Sequence, residues 1–336
     1  MLTALLTALL AAAITLSALK PFRNIASRFG FVDRPGPRKA QTKAVPYLGG
    51  LAMLLGAGVS LLLFHPDLWP ALVLLGSVAL LGLVDDIRYL PVWAKLIGEG
   101  LVASSAVGLG FSLHLTDSAA LNAGLSVVWM VGLTNSFNLL DNMDGLAATA
   151  AATSLIAISA IVPAAAGLAL PIAGGAIAFL AVNRPPAKMY MGDSGSLMLG
   201  FGVALTSIHA ANTSRGLHAV VILAFPVALA LFDTSLVIVS RLSTGRPVQL
   251  GGQDHFSHRL RLLGWGPYQV LAAALVASLA GSACAAFAVR YPLDEAWLAV
   301  PIGVAVFGLW VALLRIDPYS VALQPKIEVY GAKTRP

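Results

Sequence analysis

The sequence predicts an all-α integral membrane protein: a polytopic bundle of about 11 transmembrane helices, with the N-terminus outside and the C-terminus cytoplasmic. Three observations carry this reading. The 336 residues are 58% hydrophobic and only 11% charged, less than half the charge of an ordinary soluble domain, so the apolar surface needs lipid rather than a larger core. Apolar runs of bilayer-spanning length, about 20 residues, recur along the chain. Basic residues gather in alternate loops.

The runs lie near 1–19, 47–64, 70–84, 93–113, 121–138, 146–162, 165–182, 197–213, 217–241, 267–290 and 297–315. The third is short, and the boundary between the sixth and seventh rests on Pro163. With the N-terminus outside, Lys20 to Lys43, Arg88 to Lys95, Arg184 to Lys188, Arg241 to Arg261 and the tail from Arg315 are all cytoplasmic. Only Arg215 and Arg290 then remain outside, which satisfies the positive-inside rule. The net charge of +6 is thus a topology signal and an attraction to anionic headgroups, and it excludes a nucleic-acid partner. The first run has no basic residue before it and many after it, so it reads as a retained helix rather than a cleavable signal. The single cysteine, Cys284, rules out a disulfide framework or a cysteine-based zinc site.

A single domain over 1–336 is expected, with cytoplasmic loops at 20–46, 85–92, 139–145, 183–196 and 242–266. The outer connections are mostly short and plain. The cytoplasmic ones carry nearly every unusual residue, which suggests a site on one membrane face that a soluble substrate can reach.

Asp85 and Asp86 end the third run. A carboxylate at the bilayer centre costs about 2.5–3.5 kcal/mol, so the pair belongs at the interface. Carboxylates are unfavourable at a helix C-terminus without a nearby cation, and Lys95, beyond Pro91, can supply one. Adjacent residues point about 100° apart, so the two carboxylates have different tasks. In LTNSFNLLDNMDGLA, Asn135, Asn138, Asp141 and Asp144 recur every third residue. Such steps drift about 60° each, so Asn135 and Asn138 share a helical face able to address a metal. Asp141 and Asp144 require the helix to unwind, and DNMDG suits that break and could reach a nucleotide.

MGDSGS opens the eighth helix, where Asp193 or Ser194 is the expected N-cap and the glycines would admit a phosphate or metal. His255 and His258, with Arg259, form a basic cluster. Two histidines without a third ligand make a poor zinc site, so the cluster reads as an anion clamp. Asp233 is the one carboxylate that looks embedded, bonded either to a neighbouring helix or to the site. Hard oxygen donors, a glycine-rich helix start and basic residues on one face imply Mg²⁺-assisted chemistry on a diphosphate. A lipid tail on the substrate would explain the number of helices.

VDRPGPRKAQTKAVPYLGG, LVDDIRYLPVWAK, TNSFNLLDNMDGLA, MYMGDSGS and GRPVQLGGQDHFSHRL, in this order and spacing, resemble the polyprenyl-phosphate N-acetylhexosamine-1-phosphate transferases, a family that includes WecA, the teichoic-acid initiating enzymes and MraY. The resemblance covers roughly residues 20 to 265. It implies transfer of a sugar-1-phosphate from a UDP-N-acetylhexosamine to polyprenyl phosphate at the cytoplasmic face of the cell membrane, with release of UMP. It assigns Asp193 and Asn138 to Mg²⁺, with Mn²⁺ as the alternative, and Asp85 of the Asp85–Asp86 pair to proton removal from the lipid phosphate. Lys95 is expected on the diphosphate, as are His255, His258 and Arg259. Asp144 and Asn183 match positions associated with uracil recognition, with Lys43 near another. A homodimer is the candidate assembly. Ser257 departs from the family, many members of which carry histidine there, and the absence of three consecutive histidines argues against the MraY substrate. The reaction is expected to be a single displacement, with a double displacement through an aspartyl intermediate as the rival. From another class, a transporter is disfavoured because ionisable residues sit at helix ends rather than at the midplane.

Overall fold

In the computed structural model, residues 2–35, 43–249, 251–291 and 300–319 are described. All eleven apolar segments fall on helices: α1 (Leu2–Phe29), α2 (Gly49–Phe64), α3 (Trp69–Arg88), α4 (Val92–Gly108), α5 (Ala119–Leu140), α6 (Leu146–Ile161), α7 (Ala166–Asn183), α8 (Gly192–Ala211), α9 (Gly216–Ala224) with α10 (Ala228–Ser243), α12 (Pro267–Arg290) and α13 (Val300–Leu314). Among the described residues seven stretches, with α9 and α10 counted as one, are long and apolar enough to cross a membrane, consistent with an all-α membrane protein. The 217–241 run is broken by a 3₁₀ turn at Phe225–Val227, where Pro226 cannot donate to the helical ladder. A short helix, α11 (Phe256–Leu262), lies within the 242–266 loop.

Helix ends depart from the expected loop boundaries. Helix α1 runs through Pro21 to Phe29, α3 runs past Asp85 and Asp86 to Arg88, and α8 starts at Gly192. Two short strands unforeseen in the 20–46 loop, β1 (Val32–Asp33) and β2 (Val45–Pro46), pair antiparallel, with Val32 opposite Pro46. Beyond β2 the chain binds the start of α8: Tyr190 N donates to Pro46 O at 2.8 Å, and Gly49 N and Gly50 N donate to Tyr190 O and Met191 O at 3.1 and 3.0 Å.

Helix α8 is the axis of the bundle. It touches α2, α3, α5, α6, α7 and α9, and its apolar window is 94% buried in protein. In lipid, helices associate by close packing rather than by hydrophobic expulsion, which favours small residues at contacts. Gly82 shows how tight this packing is: a Cβ there would stand 2.4 Å from the backbone carbonyl of Asp193. Gly76, six residues earlier on α3, has open space around it. Gly82→Ala is therefore expected to push α3 off α8 and cost about 1–3 kcal/mol, whereas Gly76→Ala is expected to be neutral or stabilising. Thermal unfolding of the two variants in detergent checks this.

Candidate active site

Helix α3 ends because Tyr89 turns into the left-handed region, at φ 49°, ahead of Pro91. Tyr89 N donates to Asp85 O at 2.8 Å, and Leu90 N donates to Asp85 Oδ1 at 2.7 Å. The chain reverses through Pro91 into α4, one turn of which brings Lys95 back over Asp85. Lys95 Nζ stands 3.0 Å from Asp85 Oδ2. It also donates to Asp193 Oδ2 of α8 and lies 3.4 Å from Asn138 Oδ1 of α5. One ammonium thus joins four helices.

The two adjacent carboxylates do take different tasks. Asp86 Oδ1 accepts from Asp193 N at 2.8 Å and Asp86 Oδ2 from Ser194 N at 3.2 Å. Asp86 is at the unfavourable pole of its own helix and at the favourable pole of α8, whose first amides lack intrahelical partners. This corrects one expectation: Met191, not Asp193 or Ser194, is the N-cap residue of α8, without a side-chain cap. Asp86, expected to be catalytic, accepts one α8 amide on each of its oxygens. Gly192 is required beside it: its φ is +71°, and a Cβ would lie 2.5 Å from Asp86 Oδ2.

Asn138 Nδ2 donates to Asp193 Oδ1 at 3.1 Å and to Ser196 Oγ at 2.9 Å, joining it to the residue expected to bind metal beside it. Asn135 does not share that task. Its amide donates to Val131 O at 2.9 Å and to Glu99 Oε2 of α4, the drift between the two amides being enough to send them to different helices. Glu99 was not foreseen. It is 1% exposed, and a lone carboxylate inside the 93–113 apolar run was the available signal.

The helix breaks at Asp141 as expected. The Asp141 carboxyl is pushed well above the usual range by burial, then by Asp193, Asp144 and Asp86. Asp144 Oδ2 accepts from Ala187 N at 2.8 Å, and burial raises its carboxyl despite that bond. Asn183, expected to recognise uracil, uses both ends of its amide on backbone. Gly145 N donates to its Oδ1 at 2.9 Å and its Nδ2 donates to Met189 O at 3.0 Å, tying the 141–145 and 184–191 loops together. Lys43 is exposed ahead of β2, and among the described residues no ion pair joins it to the cluster.

The histidine segment differs most from expectation. Asp233, buried on α10, accepts from His255 Nδ1 and from Phe256 N, both at 2.8 Å, and so orients the ring and starts α11. Arg259 is fully buried. It donates to Asp254 O at 2.9 Å, Ser240 Oγ at 2.7 Å, Leu313 O at 2.8 Å and Ile316 O. It serves the carbonyls at the end of α13 instead of clamping an anion, because helix C-terminal carbonyls need donors. Arg241 pairs with Asp254 through Nε–Oδ2 at 2.7 Å and a second bond at 2.9 Å. Burial pushes the Asp254 carboxyl up, but Arg241 outweighs it and holds it below the usual range. Ser257 Oγ bonds Asn142 Oδ1, linking α11 to the DNMDG break.

His258 lies with its ring centroid 5.6 Å from that of His255, and its Nδ1 is buried without a partner. Burial and His255 push its imidazole down to about 4, against the pull of Asp233 and Asp254. It is therefore neutral at pH 7 and offers a hydrogen bond, not a charge. Since the unfolded value is near 6.5, the unfolded chain takes the proton first as pH falls, and stability is lost from about pH 6.5 down through 4. Lowering the pH from 7.5 to 5 is expected to shift the unfolding midpoint of the wild type downward relative to that of His258→Gln.

Among the described residues no three His, Cys, Asp or Glu side chains converge closely enough to hold a metal alone. Asp193 with Asn138, and Asp141 with its carboxyl crowded by like charges, fit a Mg²⁺ that takes one or two carboxylates and completes its shell from phosphates.

The model of glycosyl transferase family 4 matches residues 68–211, the stretch from α3 through α8 that holds Asp85, Lys95, Asn138 and Asp193. A Bacillus subtilis protein, a probable undecaprenyl-phosphate N-acetylglucosaminyl 1-phosphate transferase, is 32% identical over 77% of this chain and 78% of its own. A Mycobacterium tuberculosis decaprenyl-phosphate N-acetylglucosaminephosphotransferase is 31% identical over 77% and 76%. A Lactobacillus gasseri phospho-N-acetylmuramoyl-pentapeptide-transferase is 27% identical over 74% and 86%. By this likeness, which spans most of its length, the chain belongs to glycosyl transferase family 4, the WecA- and MraY-like membrane family of polyprenyl-phosphate sugar-phosphate transferases.

Proposed function

We propose that this chain transfers N-acetylglucosamine-1-phosphate from a UDP-sugar to polyprenyl phosphate, releasing UMP and forming a lipid-linked diphosphate sugar that starts cell-envelope polysaccharide synthesis. The observation that carries this reading is Lys95 held between Asp85 and Asp193 at the meeting of α3, α4 and α8. A cation among carboxylates at helix ends suits a reaction between a membrane-borne phosphate and a soluble diphosphate. The names of the relatives point the same way. The muramoyl-pentapeptide reading is weaker, because the segment His255 to His258 lacks the three consecutive histidines typical of that branch.

The arrangement belongs at the cytoplasmic face of the cell membrane, with eleven crossings, the N-terminus outside, and a homodimer as the candidate assembly. Asp85 accepts the proton of the polyprenyl phosphate, whose oxygen attacks the β-phosphorus as the bond to UMP breaks. Lys95 shifts from its carboxylates onto the transferring phosphoryl group, where a fixed positive charge counts most. Asp86 keeps Asp193 in place through the α8 amides, and His255, oriented by Asp233, faces the diphosphate. Asp193, Asn138 and Asp141 would hold Mg²⁺, or Mn²⁺ in its place, which supplies charge neutralisation on the phosphate oxygens when bound.

UMP release from UDP-N-acetylglucosamine in proteoliposomes containing polyprenyl phosphate tests the reading. Asp193→Asn is expected to lower the rate at least about 100-fold, and retained turnover would mean that the metal is misplaced. Without lipid acceptor no stoichiometric burst of UMP is expected; a burst would instead support the aspartyl intermediate.

A further inference from the structure

A cavity of about 370 Å³ lies beside the acidic cluster, and none of the carboxylates described above lines it. Its walls come from Ala181 and Val182 in the last turn of α7, from Arg184, Pro186 and Lys188 in the following loop, and from Tyr268 in the first turn of α12. Both helices are candidate spans, and the cavity lies at the end of one and the start of the other, at Asn183 and Pro267. It therefore sits at a membrane boundary. Its size falls within the range of small-ligand pockets.

The loop that carries the two cations is fixed at several points. Lys188 N donates to Val182 O at 2.7 Å, Asn183 Nδ2 to Met189 O at 3.0 Å, and Ala187 N to Asp144 Oδ2 at 2.8 Å. Tyr268 spends its hydroxyl on Pro185 O at 2.6 Å and so presents its ring to the cavity. Arg184 and Lys188 are both exposed, and among the described residues no carboxylate pairs with either. Two unneutralised cations over an apolar wall form an amphipathic receptor with one charged end. Its chemistry calls for a phosphate at the water side and an apolar body at the membrane side, whereas a soluble phosphate would leave the Ala181, Val182 and Tyr268 surface unused.

We propose that this cavity binds the headgroup of an anionic phospholipid, with Arg184 and Lys188 on the phosphate and the glycerol region against Ala181, Val182 and Tyr268. Such a bound lipid would brace the loop that bonds Asp144 through Ala187 and leads into Asp193. The inference needs the membrane placement of α7 and α12 but not the reaction proposed above.

Binding of fluorescent phosphatidylglycerol to the full chain in neutral detergent micelles tests it, with UMP release measured on the same samples. Saturable binding is expected. Arg184→Gln with Lys188→Gln is expected to weaken it about 30-fold, from roughly fivefold per cation at a membrane surface. Arg184→Lys alone keeps the charge and is expected to retain most of the binding, and Asp193→Asn is expected to bind lipid like the wild type while losing turnover. Thermal unfolding shows whether the double variant is folded. Unchanged binding in a folded double variant would overturn the proposal. Displacement of the lipid by inorganic phosphate would reassign the cavity to a free anion, and displacement by UMP would reassign it to the nucleotide; either result overturns it. Failure of UMP release with intact lipid binding would count against the transferase reading alone.

Discussion

The ammonium of Lys95 is the interaction on which the site depends. It lies on α4, pairs with Asp85 of α3 and Asp193 of α8, and stands beside Asn138 of α5. Removing one partner of a buried ion pair typically costs about 3–5 kcal/mol, because the other charge is left without compensation. Here several carboxylates compete for a single cation, so the excess negative charge must be met by other means.

The protein meets it in two ways visible in the backbone. Asp86 accepts from the first amides of α8 instead of from a cationic side chain, which requires glycine at 192 and at 82 so that α3 and α8 can approach. Asp144 is held by the Ala187 amide. Asp141 is left facing like charge, and that residual deficit of positive charge is what a divalent cation with phosphate ligands would fill. The framework outside the cluster is kept rigid by Asn183, Asp233, Arg241 and Arg259, each of which satisfies backbone or buried partners. Their charges and amides invite a substrate role, and their hydrogen bonds fix the loops around the cluster.

The helices were readable from composition because a bilayer-length apolar run leaves the backbone few alternatives. One local break was readable too, the DNMDG segment that ends α5 at Leu140, whereas the break at Pro226 inside the 217–241 run was not foreseen. What could not be read was which end of which helix a polar side chain meets. Arg259 finds the carbonyls of Leu313 and Ile316 more than fifty residues away, and nothing local distinguishes that from an anion clamp. Asp86 finds amides of α8 about twice as far away, 107 residues along the sequence. The drift between Asn135 and Asn138 was computable, but the presence of Glu99 opposite Asn135 depends on how α4 packs on α5. Sequence therefore placed the polar residues at helix ends and loops, and tertiary packing decided which partner each one meets.

A double-mutant cycle on Lys95 and Asp193, followed by thermal unfolding in detergent, tests the central claim most directly. The account predicts that Lys95→Gln is strongly destabilising, and that adding Asp193→Asn recovers part of the loss, with a coupling of about 1–3 kcal/mol. Additive effects, within about 0.5 kcal/mol, would contradict the claim that this ammonium and this carboxylate hold the site together.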